Sequence, residues 1–295
     1  MTEKEKNSKL EELEIDLLLE AVNRYYGYDF RDYERGAVKR RIREGMLAGR
    51  VSTISRFQEK LLHERRFLER FLRSFSTGSR SMFSASAFYR ALRTKVIPQL
   101  RTYPFVRIWH VGCSTGEDVY SMAILLEEEG LYERSRIYAT DLSEDVVRQA
   151  RTGSFRSSLA EQSSVNYQNV GGTRSLSEYF KKRGDRVSIE PELKKHIVFS
   201  QHNLATDGSF NEFQVIVCRD VLGGFNYRLR ERVDGLIFES LSRFGVLALG
   251  VGESLETQIE DHYVLLDEES RLYQKQSSNV SPGFAGIERK KGQVS

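Results

Sequence analysis

Between residues 10 and 72 apolar side chains return every three or four positions: Leu13, Ile15, Leu18, Leu19 and Val22, then Val38, Ile42 and Met46, then Phe57, Leu61, Leu62, Leu68 and Leu72. That spacing gathers them on one face of successive helices and predicts a small helical bundle over residues 10–73, preceded by a charged tail over residues 1–9. Breaks are expected at Gly27 and from Ala48-Gly49 to Ser52-Thr53, where Ser52 or Thr53 can cap the next helix. The Ser/Gly-rich stretch at 74–82 reads as a linker or a loop lining a site, and residues 83–100 read as another helix that ends at the turn around Pro104.

The period then changes. Residues 106–111 (VRIWHV), 137–140, 197–200, 215–218 and 246–251 read as short strands, and 119–126, 144–150 and 228–241 as helices. Such alternation predicts an α/β domain over residues 83–276, Rossmann-like, with a mostly parallel sheet covered by helices on both faces. The polar stretch 153–186 reads as an insertion over the sheet's edge, and residues 277–295, rich in Ser, Gly and Lys, as a disordered tail.

Composition narrows the class. No apolar run approaches the roughly 18–20 residues of a membrane helix, and the charged N-terminus resembles no signal peptide, so a cytoplasmic protein is expected. Cys113 and Cys218 lack paired CxxC spacing and read as buried reduced thiols. His110, His196 and His202 show neither triad nor metal-ligand spacing, so no metal is expected, and Trp109 and Tyr120 read as core packing. A net charge of +3 is too mild to imply nucleic acid, but residues 35–73 concentrate Arg35, Lys39, Arg40, Arg41, Arg43, Arg50, Arg56, Lys60, Arg65, Arg66, Arg70 and Arg73 against four glutamates. Such a face suits an acidic helical partner or a nucleic acid, or simply stays solvated.

Gly112-Cys113-Ser114-Thr115-Gly116-Glu117 follows the first strand and opens a helix, where glycines let backbone amides approach a ligand. Asp141, ending the second strand, is placed to accept both hydroxyls of a ribose. The absence of a third glycine and of a GK[ST] ending argues against a phosphate-binding Walker loop. The plainer alternative is that these glycines only close a turn and that Asp141 caps a helix.

IWHVGCSTGEDVYSMAILL and YATDLSEDVVRQAR resemble the two nucleoside-binding motifs of the CheR-type chemoreceptor glutamate methyltransferases. GYDFRDYERGAVKRRI is similar to that family's helical N-terminal domain, and FSQHNLATDGSFNEFQVIVCRDV, GESL and RLYQK to its later strands. The resemblance covers about residues 10–275 and implies a Rossmann-like S-adenosylmethionine-dependent methyltransferase domain behind a small all-α domain. Its implied cofactor is S-adenosylmethionine or S-adenosylhomocysteine, surrounded by Gly112, Ser114, Gly116, Glu117, Asp141, Leu142, Asn203, Leu204 and Asp220. Its implied partner is a chemoreceptor-like helical protein docked on the basic N-terminal helices, with neither membrane insertion nor nucleic acid expected.

The acceptor side departs from the family. Where its members read TxMFRD or TxFFRD, this chain has Arg80-Ser81-Met82-Phe83-Ser84-Ala85, and CRNVxIYF appears as Cys218-Arg219-Asp220-Val221-Leu222-Gly223-Gly224-Phe225. The four family catalytic positions are therefore occupied by Arg80, Ser84, Asp220 and Gly224. Methylating an already ionised glutamate is mainly a matter of placement, which proximity makes worth several kcal/mol. An arginine fork and a tyrosine hydroxyl suit that task, whereas Ser84 brings no cation and Gly224 no side chain. A charged Asp220 about 4 Å from an incoming glutamate would repel it by roughly 4 kcal/mol at an effective dielectric near 20. Arg80 is a candidate partner for Asp220 or a substitute clamp, with a solvated loop residue as the plain alternative. Two functions stay open: an active glutamate methyltransferase, or a catalytically silent sensor or adaptor that binds the nucleoside and acts through protein contacts. Four substitutions converging beside an unchanged cofactor shell tilt the expectation toward impaired methylation, and Gly223-Gly224 widens the site enough to admit a larger ligand. A third reading is an interaction module that keeps only the fold.

Overall fold

The computed structural model describes residues 2–76, 81–255 and 257–277. Its first helix, α1 (Glu3–Tyr26), reaches further toward the N-terminus than the charged run suggests. Thr2 and Glu5 form a reciprocal capping box, the Thr2 N–H donating to Glu5 Oε2 at 2.7 Å and the Glu5 N–H to Thr2 Oγ1 at 3.3 Å. This satisfies two of the donors that a helix start leaves orphaned, and residues 3–9 are helix rather than tail. Ile15, Leu18, Leu19 and Val22 are buried, but Leu13 is 55% exposed and belongs to the outer face, against the expected pattern. Gly27, at φ 79°, ends α1 in the left-handed region that glycine enters freely.

Helices α2 (Arg35–Gly49), α3 (Ile54–His63, capped by Thr53) and α4 (Arg65–Arg73) complete the bundle around Phe30, Val38, Phe57, Leu61 and Phe71. Much of its basic charge is answered from within. Arg35 pairs with Glu12 and Asp16, Lys39 with Glu12 and Arg43 with Glu11, while Arg73 reaches outside the bundle to Asp145. Pairs this exposed contribute about 0–1 kcal/mol each, but they subtract from the free positive face that the sequence suggests.

The second domain opens with α5 (Ser86–Ala91), which passes through a π turn at Leu92–Val96 into α6 (Ile97–Leu100). The helix expected from residue 83 starts later because Phe83, at φ 53°, is in the left-handed region and donates its N–H to Ser121 Oγ at 3.0 Å. Then follow β1 (Val106–Val111), α7 (Glu117–Glu128), β2 (Ser135–Asp141) and α8 (Glu144–Thr152). Next come β3 (Ser154–Arg156), α9 (Ser157–Asn169), β4 (Phe180–Arg183), β5 (Arg186–Ile189), β6 (Ile197–Gln201) and β7 (Phe213–Cys218). The chain continues with α10 (Tyr227–Ser240), β8 (Leu241–Leu249), β9 (Tyr263–Asp267) and β10 (Leu272–Lys275).

The main sheet runs β6-β2-β1-β7-β8-β10-β9; β6 through β8 are parallel, and β10 and β9 return antiparallel. From β1 the chain winds outward through β2 to β6, then crosses back to β7 and β8. The order therefore reverses between β1 and β7, and a crevice opens beyond the C-terminal ends of those two strands, where such sheets bind ligands. The 153–186 stretch is more than a polar insertion: β3, β5 and β4 form a small antiparallel sheet beside α9. Strand β8 starts at Leu241 rather than 246, directly after α10, with Phe244 at φ 62° where its pairing with β7 shifts register.

The helical domain closes over the crevice. Tyr33 bridges to Phe225 across an isolated antiparallel pair, the Glu34 N–H donates to the Gly224 carbonyl at 2.8 Å, and the Asn226 N–H to the Asp32 carbonyl at 3.0 Å. Among the described residues no helix is long and apolar enough to cross a membrane. Both cysteines are buried free thiols, and burial pushes each well above the usual thiol range. Arg80 and the tail from residue 278 lie outside the described residues.

Candidate functional site

The glycine turn sits where the sheet reverses. Gly112 has φ 65°, and a Cβ there would lie 2.6 Å from Val221 Cγ2, so a side chain would have to displace the β7 loop. Ser114, at φ 46°, turns its N–H to Asp141 Oδ2 at 3.0 Å. Gly116, at φ 98°, caps α7 and packs beside Tyr120 and Ala150 rather than facing the crevice.

Asp141 is buried and held from three sides. Its Oδ1 accepts from the Ser143 N–H at 3.1 Å and from Ser76 Oγ at 2.5 Å, while Oδ2 takes the Ser114 N–H. Burial raises its pKa, against which the bonds from Ser76, Ser143 and Ser114 act in part. Glu117, the first residue of α7, is buried as well and accepts from Thr115 Oγ1; desolvation again raises its pKa. Glu253 is the acid of the GESL stretch after the last parallel strand. It proves to be a buried carboxylate that takes the N–H groups of Leu222 at 2.7 Å, Gly250 at 2.8 Å and Asp220 at 3.0 Å, and so ties the β7 loop to the β8 loop.

A cavity of about 360 Å³ runs through this region, within the range usual for small-molecule sites. One wall comes from the strand ends: Gly112, Asp141, Leu142, Leu204, Asp220 and Glu253. The other comes from the helical domain and linker: Tyr33, Arg40, Arg41, Phe75 and Ser76. Gly223 and Gly224 lie between them, and a Cβ at either would meet nothing within 4 Å. Arg41 is half-buried, which lowers its pKa; its guanidinium stands 4.7 Å from the Phe75 ring centre and donates to the Ser74 carbonyl. Burial raises the pKa of the Tyr33 hydroxyl.

A smaller polar cavity of about 20 Å³ adjoins the large one, sharing Val111, Gly112 and Asp220. His110, Glu117, Asp118 and Arg219 line the rest of its polar surface. Arg219 pairs with Asp118 at 3.3 Å and lies 4.8 Å from the Phe88 ring centre, and Tyr89 donates to Asp118 at 3.0 Å.

The sequence-derived residues divide accordingly. Gly112, Asp141, Leu142, Leu204, Asp220 and Gly224 line the large cavity, and Glu117 the small one. Ser114 and Gly116 shape the turn from behind. Asn203 is buried beneath Leu204, its Oδ1 accepting from the Ala205 N–H at 3.0 Å. Ser84 is exposed and lines neither cavity. Ser76 comes from the stretch expected as a site-lining loop, whereas Tyr33, Arg40, Arg41, His110 and Glu253 were not anticipated at the site. Two of them left a trace in the sequence, His110 as a polar interruption of an apolar strand and Glu253 as an acid between glycine and serine after the last parallel strand.

The arrangement fits a sulfonium nucleoside: a glycine turn that a Cβ would fill, an acid ending the neighbouring strand, and a polar annex with both signs of charge. Comparison with known proteins agrees. Residues 79–271 match the family model described as CheR methyltransferase, SAM binding domain, and residues 13–76 match CheR methyltransferase, all-alpha domain. The chain is 38% identical to the Pseudomonas putida protein Cher3, over 90% of this chain and 97% of that one. It is 30% identical to the chemotaxis protein methyltransferase of Listeria monocytogenes, over 83% and 92% of the two chains. A 104.1 kDa Rhodobacter capsulatus protein is 29% identical over 86% of this chain but only 27% of its own length. None of these findings favours the catalytically silent alternative. The chain belongs to the CheR methyltransferases, with the family's all-α domain in front of a domain that binds S-adenosylmethionine.

Proposed function

We propose that the chain is an active methyltransferase that esterifies a carboxylate on a chemoreceptor-like helical protein, and that its helical domain supplies the acceptor clamp missing from the β7 loop. One observation carries this reading: Tyr33, Arg40 and Arg41 line the same cavity as Gly112 and Asp141, across from the open space beside Gly223 and Gly224. Two guanidinium groups and a phenol are the chemical types that the resemblance leads one to look for at positions 84 and 224, reached here from another element. An arginine fork pre-organises a carboxylate by paired hydrogen bonds.

S-adenosylmethionine, when bound, supplies a methyl group already activated by its sulfonium, so no general base is required of the protein. The chain's own tasks are to hold, orient and neutralise. Gly112, Asp141, Leu142 and Leu204 are assigned to the nucleoside, with Ser114, Gly116 and Asn203 shaping the walls behind them. Glu117, Asp220 and Arg219 are assigned to the charged amino-acid end. Asp220 lines both cavities, and its Oδ1 would lie 2.5 Å from a Cβ on Gly250. A cationic group in the small cavity offsets the repulsion that this carboxylate would exert on an incoming glutamate. The remaining free positive charge of the helical domain suits an acidic receptor helix, and two buried free thiols fit the reducing cytoplasm. The domain boundary falls in the linker at 74–82.

Methyl transfer from labelled cofactor to the cognate receptor tests the reading. Label is expected on receptor glutamates, and the double variant R40A/R41A should raise the acceptor KM about tenfold or more, or about 1.4 kcal/mol, with cofactor affinity within about twofold. No transfer at saturating cofactor would overturn the assignment and leave the silent adaptor.

A further inference from the structure

His110 is the polar interruption in β1, two residues before Gly112 and beside the glycine turn. It is 3% exposed, and its Nε2 is buried with no hydrogen-bond partner among the described residues. Buried polar atoms are normally satisfied, so such an orphan marks either a defect or a place kept for something else. His110 is among the residues lining the small polar cavity, with Glu117, Asp118, Arg219 and Asp220, next to the crevice assigned to the nucleoside.

The chemistry of that annex is uneven. Arg219 provides donors for a carboxylate; Glu117 and Asp220 provide acceptors for an ammonium group, which has three N–H bonds to place. Further carboxylates would add mutual repulsion in a buried space. A neutral acceptor would satisfy an N–H without adding charge, and His110 is neutral: burial, with the Arg219 cation beside it, lowers its pKa to about 3. With the ring proton on Nδ1, Nε2 presents a lone pair.

We propose that His110 is a cofactor-positioning residue whose Nε2 accepts a hydrogen bond from the α-ammonium group of S-adenosylmethionine, alongside the Glu117 carboxylate. The proposal rests on the cofactor assignment and adds to it a residue that the glycine turn and the strand-end acid do not identify. It also states where specificity for the intact amino-acid end arises.

Two ligands separate this role from a structural one. S-adenosylhomocysteine carries the amino-acid end, and 5′-methylthioadenosine lacks it. Calorimetric titration of the full chain compares wild type with His110→Leu, which keeps volume but no acceptor, and His110→Gln, which keeps an acceptor. His110→Leu should weaken S-adenosylhomocysteine by about tenfold or more while 5′-methylthioadenosine stays within about twofold, and His110→Gln should recover most of the loss. Unchanged S-adenosylhomocysteine affinity in His110→Leu overturns the proposal. Equal weakening of both ligands overturns it too, since that marks a packing role. Wild-type protein that binds neither ligand overturns the cofactor assignment instead, a result recognisable without any variant. Should His110→Leu lose its near-UV dichroism, His110→Ala takes its place in the same comparison.

Discussion

Gly112 and Gly224 face the same cavity and are glycine for different reasons. At Gly112 the backbone stands at φ 65° and a Cβ would press to 2.6 Å from Val221. At Gly224 φ is not positive, and a Cβ would meet nothing within 4 Å. The first glycine is imposed by conformation and packing, so the wall assigned to the nucleoside has little freedom. The second is imposed by nothing around it, so the acceptor wall is free to take its chemistry from elsewhere. The largest effect should come from attacking the constrained side. Gly112→Ala adds about 1–2 kcal/mol of left-handed strain to about 1–3 kcal/mol of overpacking. Denaturant unfolding should show a loss of about 2–5 kcal/mol, and S-adenosylhomocysteine affinity should fall with it. A variant as stable and as tightly binding as wild type would erase the contrast between the two glycines.

A smaller effect should separate the charged annex from the rest of the cavity. Glu117 has its pKa raised by burial, so the folded state binds its proton more tightly than the unfolded chain does. Stability from this group is therefore lost as pH rises from the unfolded value toward the folded one, and at neutral pH the buried carboxylate is a cost. Binding runs the other way, since a cationic ligand end needs the carboxylate. S-adenosylhomocysteine affinity should fall on acidification, beginning above the ordinary glutamate pKa of about 4.3. Glu117→Gln should flatten that profile and weaken binding at pH 7 by about tenfold, while making the unliganded protein slightly more stable. A pH profile of affinity unchanged by Glu117→Gln would show that the annex does not hold the ammonium end.

The same contrast explains what was legible in the sequence. The glycine turn and Asp141 could be read because each belongs to a short run whose conformation is set locally: strand, turn, helix. Tyr33, Arg40 and Arg41 could not, because they reach the cavity through the docking of one domain on another, fixed by backbone pairing at Glu34-Gly224 and Asp32-Asn226. Periodicity says that Arg40 and Arg41 lie off the buried stripe of α2, not what they face. Glu253 was hidden for a related reason: its three donors are backbone groups at residues 220, 222 and 250, and no side-chain pattern announces them. The family motif points instead to Ser84, which lines neither cavity. Helix limits failed where one local contact outweighs composition, as with the Thr2 cap that makes a charged run helical and the left-handed Phe83 that delays α5.

The smallest effect should come from the open side, and its smallness is the test. Gly224 contributes its carbonyl to the Glu34 N–H, a bond that any residue makes. Adding a methyl group there blocks nothing nearby and narrows the unfolded chain's freedom, a gain of about 0.4–1 kcal/mol where the native conformation accepts it. Gly224→Ala should thus unfold at the same denaturant concentration as wild type or slightly above it, with S-adenosylhomocysteine affinity unchanged. Gly224→Tyr, the residue that the family resemblance expects there, should also fold, because the space ahead of the Cβ is the cavity itself. If Gly224→Ala instead weakens the fold by more than about 1 kcal/mol, the loop needs glycine for its own conformation. The missing tyrosine would then reflect backbone demand rather than a clamp moved to the helical domain.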